Sequence, residues 1–269
     1  MTGGLRLGRI GPTLAGAFVA VAVATASHAQ VVTAPPGDAD QAWAKLLAEA
    51  TLPSLAMPAD RDQLDDMVRQ GRTPDLTKRL TSITTGEQLN QDLNWERAAM
   101  LKGGGVVIPL IYLQDLWRAG VSAPPPSGDD AKRTAGMILL YILALIEVDG
   151  TQCGDQTAPN SHFLQISAQG QPILAYMRTI PAAQRMSIGT MALWLESATA
   201  LVRSTDETLC QGGQEETANR GVAGYKPRIL SQEAWKPKRA EIRAKMPAVL
   251  TRLLSDAPAG APPAAPAPR

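Results

Sequence analysis

Histidine is nearly absent from this sequence, whose 269 residues contain only His28 and His162. This scarcity excludes a metal site built from several histidines, including the His-Glu-x-x-His zinc motif. The two cysteines, Cys153 and Cys210, do not form Cys-x-x-Cys-His, which argues against a covalently attached c-type haem. The sequence also lacks a Walker A phosphate loop and a Gly-x-Ser-x-Gly nucleophile elbow. We therefore expect no cofactor.

Aromatic residues are few, at 4% of the chain, and no segment shows the apolar–polar alternation of a β-strand bounded by hairpin turns. A core made mainly of Leu, Ile, Val, Met and Ala suits helices better than sheets. The sequence thus predicts an all-α fold, a multi-helix bundle of about seven helices. Four tryptophans in apolar helical settings are expected to anchor the core: Trp43, Trp117, Trp194 and Trp235.

The first 29 residues have the order of a secretory signal peptide. Arg6 and Arg9 precede a small-residue apolar run at 14–24, and Ser27-His28-Ala29 follows as a cleavage region. Cleavage is expected after Ala26 or Ala29. The apolar run is too short to span a bilayer and has no cysteine for a lipid anchor. We therefore expect a periplasmic or secreted protein.

The charge balance gives no reason to expect nucleic acid as a partner. The chain has 26 basic and 25 acidic residues, and removing Arg6 and Arg9 leaves 24 and 25. Nucleic-acid binding normally needs a marked basic excess. Eight basic residues nevertheless lie between Tyr225 and Arg252, against two acidic ones. The overall balance favours internal neutralisation or solvation, and contact of the Pro237–Leu254 helix with an anionic membrane or an acidic partner is the alternative.

Helical periodicity runs through the chain between its two ends. The first predicted helix begins near Asp38, and the second runs from the Thr84–Glu87 capping box to Leu101. The others are Val106–Trp117, a long helix capped by Ser127 or Asp129, Ser161–Met177, a helix opened by Thr179 and Pro181, and Pro237–Leu254. The uncharged centre of the long helix, 135–146, is too short to span a membrane and indicates burial on all sides. No transmembrane segment is therefore expected after signal removal.

We interpret residues 30–256 as one helical domain, with a subdomain break at 122–128 as the alternative because three prolines lie there. Residues 257–269 are almost entirely Pro and Ala and are expected to form a disordered tail.

An exported setting makes a disulfide between Cys153 and Cys210 the favoured interpretation of the two cysteines. The predicted order of helices places both at the same end of the bundle. That pairing would bring the loop at 147–160 beside the loop at 211–228. We call the two loops and the disulfide between them the disulfide corner. Six polar residues in or beside it form a possible binding set: Glu147, Asp149, Asp155, His162, Glu215 and Arg220.

Three interpretations of this corner stay open. Its glycines, Pro159 and Asp155 are typical of a structural turn region. The same oxygen-rich groups could form a binding surface or hold a hard cation such as Ca²⁺. A carboxylate beside His162 could serve in acid–base chemistry.

The leading functional hypothesis is an exported, non-enzymatic helical protein that acts through protein or cell-envelope contacts made by the two loops. The alternative is a periplasmic protein that binds a small ligand or a cation with the same loops. A hydrolytic enzyme is third, and it requires Glu147 or Asp149 beside His162 in a cleft.

Overall fold

The fold is helical throughout the part of the chain that can be described. The computed structural model describes residues 45–255, apart from 47, 51, 84 and 204. This part contains ten α-helices, further helical residues at 45–46 and 48–50 and two short 3₁₀ turns, but no β-strand. The all-α prediction is confirmed, while the number of helices, about seven by periodicity, was too low. The predicted signal peptide at 1–29, the predicted tail at 257–269 and Trp43 lie outside the described residues.

The helices are numbered here in chain order. They are α1 (Arg61–Arg69), α2 (Thr73–Thr81), α3 (Gly86–Leu101), α4 (Val107–Ser122), α5 (Ser127–Asp149), α6 (Thr157–Gln169), α7 (Gln171–Thr179), α8 (Ala182–Thr199), α9 (Gln214–Ala218) and α10 (Gln232–Leu254). The 3₁₀ turns are Gly150–Gln152 and Glu207–Cys210.

Helix α5 forms the centre of the bundle. It packs against α4, α6, α7, α8 and α10, and every residue from Ile138 to Ile146 is buried. Gly136 permits the close approach of α7, because a Cβ at this position would overlap the Met177 side chain. The uncharged segment predicted to be buried on all sides is therefore the core helix.

Helix α5 is also long and apolar enough to cross a membrane by length and composition alone. The candidate segment is Ser127–Gln152, and 83% of its most apolar window is buried inside the protein. Such burial is that of a core helix whose apolar surface is already covered by its neighbours.

Several predicted helix ends differ from the structure. The cap of α3 is Thr85, whose hydroxyl accepts a hydrogen bond from Gln88 N, whereas Thr84 lies outside the described residues. Helix α5 follows Pro126 without a side-chain cap, so neither Ser127 nor Asp129 caps it. The single helix predicted at Ser161–Met177 is two helices, α6 and α7, which meet at Gly170. Thr179 ends α7 instead of capping α8, which is preceded by Pro181.

The apolar residues at 191–202 and 246–250 are buried only in part. Leu195, Met246 and Leu250 are buried, but Met191, Leu201, Val202 and Val249 are exposed. Trp117 and Trp194 pack against the core, whereas Trp235 is half-buried and lies outside it, beside Arg239. Helices α4 and α5, on either side of the proline-rich turn at 123–126, pack extensively on each other. Division into subdomains at 122–128 stays a prediction.

Candidate functional site

The predicted disulfide joins Cys153 to Cys210 across the end of the bundle. The two Cα atoms are 5.1 Å apart and both residues are buried. Both cysteines lie at the end of a 3₁₀ turn. Cys153 directly follows Gly150–Gln152, and Cys210 is the last residue of Glu207–Cys210. The bond therefore fixes the end of α5 to the segment that follows α8.

Backbone hydrogen bonds tie the beginning of α10 to the same corner. Cys153 and Ile229 form an isolated antiparallel bridge. On either side of it, Gly154 N donates to Arg228 O at 2.7 Å and Leu230 N donates to Gln152 O at 2.8 Å. These two bonds and the disulfide hold both ends of the segment 211–228.

Asp155 connects the two predicted loops. Its Oδ1 accepts hydrogen bonds from Thr157 N at 2.9 Å and Thr157 Oγ1 at 2.6 Å, and its Oδ2 accepts one from Glu215 N at 2.8 Å. The Thr157 hydroxyl, followed by the Glu215 amide, lowers the pKa of the Asp155 carboxyl below its usual value. Gly213 leaves room for this contact, because a Cβ there would overlap Asp155 Oδ2. Asp155 is thus a clamp within the corner.

His162 also makes an internal contact. Its Nε2 lies 3.0 Å from the carbonyl oxygen of Gln211. Since a carbonyl oxygen only accepts, this contact selects the tautomer with its proton on Nε2. Neither Glu147 nor Asp149 pairs with His162 among the described residues. The pair that a hydrolytic mechanism would need is therefore not formed.

Asp149 and Glu147 lie apart from the clamped loops. Asp149 ends α5 and binds two guanidinium groups, with its Oδ2 2.7 Å from Arg203 Nε and its Oδ1 2.7 Å from Arg239 Nη2. Glu147 is half-buried and has no ion pair in the described part of the chain, and burial raises its pKa. Of the six predicted binding residues, Asp155, His162 and Glu215 take part in or adjoin contacts between the two loops, and Arg220 lies in the second loop.

Segment 211–228 is more ordered than the predicted long loop. It contains the short helix α9, and Gly212, Gly221 and Gly224 have positive φ values of 79°, 103° and 77°. These left-handed conformations suit glycine because it has no Cβ. The folded segment surrounds an open polar hollow of about 310 Å³. Its polar side chains are Glu216, Thr217, Asn219, Arg220 and Tyr225.

The polar side chains of this hollow differ in their availability. Glu216 accepts a hydrogen bond from Gly212 N at 2.7 Å, and Thr217 donates to Gly213 O at 3.0 Å. Asn219 donates to Glu215 O at 2.7 Å, and its amide oxygen has no internal donor within the described residues. The exposed Arg220 side chain forms no ion pair there. The hollow therefore offers chiefly a guanidinium group and a phenol.

An apolar groove of about 400 Å³ lies elsewhere, between α4 and the meeting point of α6 and α7. Its only polar side chains are Gln114 and Gln169. It lacks the several convergent polar groups that orient a bound small molecule. No group of three or more metal-ligating side chains occurs in the described range.

Two buried charge clusters were not recognised from the sequence. In the first, Arg79 Nη1 binds Asp92 Oδ2 at 2.9 Å, and Glu96 is buried one turn further along α3. Burial, followed by the charge of Asp115, raises the pKa of Glu96 well above its usual range. The acidic residues of α3 could have suggested a polar patch on the surface. Their burial was not visible in the sequence, because it results from the packing of α3 on α4.

The second cluster involves Asp149 and Glu196, together with Arg203, Arg239 and Arg243. The four-residue spacing of Arg239 and Arg243 was a usable sign that they share a helix face. Arg203 stands alone just after α8, and no sequence pattern marks it.

Comparisons with protein-family models, curated proteins and solved structures give no match for this chain.

Proposed function

We propose that this is an exported, non-enzymatic binding protein that recognises a protein or cell-envelope partner through the 211–228 segment. The observation that carries the proposal is a separation of roles within the disulfide corner. Cys153, Cys210, Asp155 and His162 make internal contacts that fix the backbone. Arg220 and the neighbouring hollow remain open on the outside.

Fixing the segment in advance favours binding. A loop that is already ordered loses less conformational freedom when its partner docks. The disulfide, the bonds beside Cys153 and the Asp155 contact supply this order from three directions. A corner needed only as a chain reversal would not require an 18-residue segment with its own helix.

The chemistry of the hollow favours an acidic polypeptide segment as its occupant. Arg220 can pair with a carboxylate in bidentate geometry, and Tyr225 offers a flat surface with a hydroxyl. Arginine and tyrosine are also the residue types that contribute most often to the energy of protein interfaces. We therefore infer that the partner presents an aspartate or glutamate side chain to Arg220.

Export is part of the proposal. The order of residues in the first 29 positions is that of a signal peptide. A buried disulfide that closes a long loop fits an oxidising compartment.

Site-specific photo-crosslinking in intact cells tests this function. A benzoylphenylalanine in place of the exposed Val222, which lines the hollow, should give one dominant adduct in the exported fraction, and the same group at the exposed Gln165 on α6 should not. Combining the probe with Arg220→Ala should remove the adduct, whereas the matched control Arg252→Ala, on the last turn of α10, should retain it.

Circular dichroism and a non-reducing gel would verify that both variants keep the fold and the disulfide. If the position-222 adduct persists in Arg220→Ala, or is equally strong from position 165, the segment is not the recognition surface. Alanine at Asp149 or Asp155 is unsuitable for this test because both carboxylates hold the fold together.

A further inference from the structure

Three arginines meet two carboxylates where α5, α8 and α10 pack together. Arg203 is the central member, and its side chain is only 3% exposed. Its Nε lies 2.7 Å from Asp149 Oδ2, and its Nη2 lies 2.6 Å from Glu196 Oε1. One guanidinium group therefore bridges the acid at the end of α5 and the acid within α8.

Helix α10 brings the other two arginines to the outer side of this bridge. Arg239 Nη2 lies 2.7 Å from Asp149 Oδ1. Arg243 Nε and Nη2 bind the two oxygens of Glu196, each at 2.8 Å. Since positions 239 and 243 are four residues apart, both guanidinium groups lie on the same face of the helix.

The cluster has more positive than negative charge. Arginine stays protonated in proteins, so the three guanidinium groups carry three positive charges against at most two negative ones. The nearby Tyr141 hydroxyl does not supply the missing charge, since burial raises its pKa. No third carboxylate pairs with these arginines in the described ranges. An uncompensated charge that is partly buried is costly without a counterion.

Some donors of the outer arginines are unused. Arg239 Nε is buried without a hydrogen-bond partner. Within the described chain, no acceptor binds Nη1 of Arg239 or Nη1 of Arg243. Both side chains reach solvent, with 17% of Arg239 and 34% of Arg243 exposed. The Trp235 ring, 5.4 Å from the Arg239 guanidinium carbon, borders the site on the preceding turn.

We propose that Arg239 and Arg243 bind a small oxyanion, a carboxylate or a phosphate, on this face of α10. The anion accepts hydrogen bonds from the unused Nη1 groups of Arg239 and Arg243, whose side chains reach solvent, and balances the extra positive charge. Arg203 is a positioning residue, because it holds Asp149 and Glu196, which in turn orient the two outer arginines. A guanidinium group presents paired N–H donors that match the spacing of oxygens in carboxylate and phosphate.

Thermal unfolding in added sodium phosphate or sodium acetate at constant ionic strength tests this site. The native protein should be stabilised in a saturable way by at least one anion. Arg239→Gln leaves two arginines to pair with two carboxylates, so the variant should bind the anion more weakly. Half-saturation should then need about tenfold more anion, because one charge-assisted hydrogen bond is lost. Arg252→Gln, a matched change on the same helix, should leave the response unchanged.

A second variant keeps the test decisive if Arg239→Gln folds poorly. Arg243→Lys retains the charge but loses the paired donors, so it should also weaken the saturable response. Stronger stabilisation by phosphate than by acetate would assign a phosphate ligand, and the reverse order a carboxylate.

An equal, non-saturating response in native protein and all variants would show a general salt effect and overturn the site. The response should persist in Arg220→Ala, so the outcome is independent of the proposed recognition segment.

Discussion

Removing the disulfide is expected to cost this protein about 4 kcal/mol of unfolding free energy. The perturbation is the double variant Cys153→Ala with Cys210→Ala, which leaves no unpaired thiol. The two cysteines are 57 residues apart in sequence. The chain-entropy relation for closing a loop of that size gives about 4 kcal/mol at 25 °C, mainly by restricting the unfolded chain.

The native fold should survive this change. The hydrogen bonds beside Cys153 and those of Asp155 do not involve sulfur, so the corner keeps its other connections. For a chain of this size, about 4 kcal/mol corresponds to a decrease in Tm of about 8–16 °C. Without the crosslink the unfolded chain exposes more surface, so the urea m value should increase.

Urea unfolding followed by circular dichroism provides the measurement. Native protein whose cysteines have been reduced, as verified by thiol titration, should behave like the double variant. A loss below about 1 kcal/mol in both samples would refute the loop-entropy reasoning. So would an unchanged midpoint in native protein shown to be fully reduced.

Two further changes address groups with perturbed pKa values. Because burial and the charge of Asp115 raise the pKa of Glu96 in the fold, its contribution to stability is complete below its ordinary pKa of 4.5 and is lost as pH rises through the folded pKa. Glu96→Gln should therefore match native stability in acid and exceed it at higher pH in urea unfolding, and parallel pH curves would contradict this. Asp155→Ala should release the 211–228 segment and increase the rate of tryptic cleavage after Arg220. The increase should be about tenfold, because one charge-assisted hydrogen bond between the loops is lost. The exposed Asp62→Ala should not increase the rate, and equal cleavage rates would refute the clamp.

The features predicted correctly have strong local signals. The uncharged segment 135–146 has no polar face, so burial on all sides was its simplest arrangement. Cys153 and Cys210 were the only candidates for a disulfide in this chain. In both cases the residue types themselves limited the alternatives.

The first two helices of the bundle escaped prediction because they are short. Helices α1 and α2 have nine residues each and bury only two residues apiece. Such a segment is marginal as an isolated helix and is stabilised by tertiary contacts. One such contact is the pairing of Arg79 on α2 with Asp60 and Asp92, at 2.6 and 2.9 Å.

The sequence predicted the disulfide, but it did not show which side chains around it make internal contacts. Asp149 and Asp155 were named as possible binding residues, with a structural turn as the alternative for Asp155, and both bind groups distant in sequence, Arg203 and the Glu215 amide. Whether a carboxylate is internal or available depends on such partners. The periodicity of a single segment does not show which distant groups its side chains will contact.

Helix α10 is a strut fixed at both ends. It begins two residues after Leu230, whose N–H donates to Gln152 O. At its other end, Leu250 and Leu254 pack over Gly189. The strut is about 35 Å long at the rise of an α-helix. Pro237 and Pro247 interrupt its backbone hydrogen bonding near either end, which makes these two positions its points of least bending stiffness. We therefore expect a displacement at the disulfide corner or at Gly189 to bend the helix at a proline before it moves the central turns that carry Arg239 and Arg243.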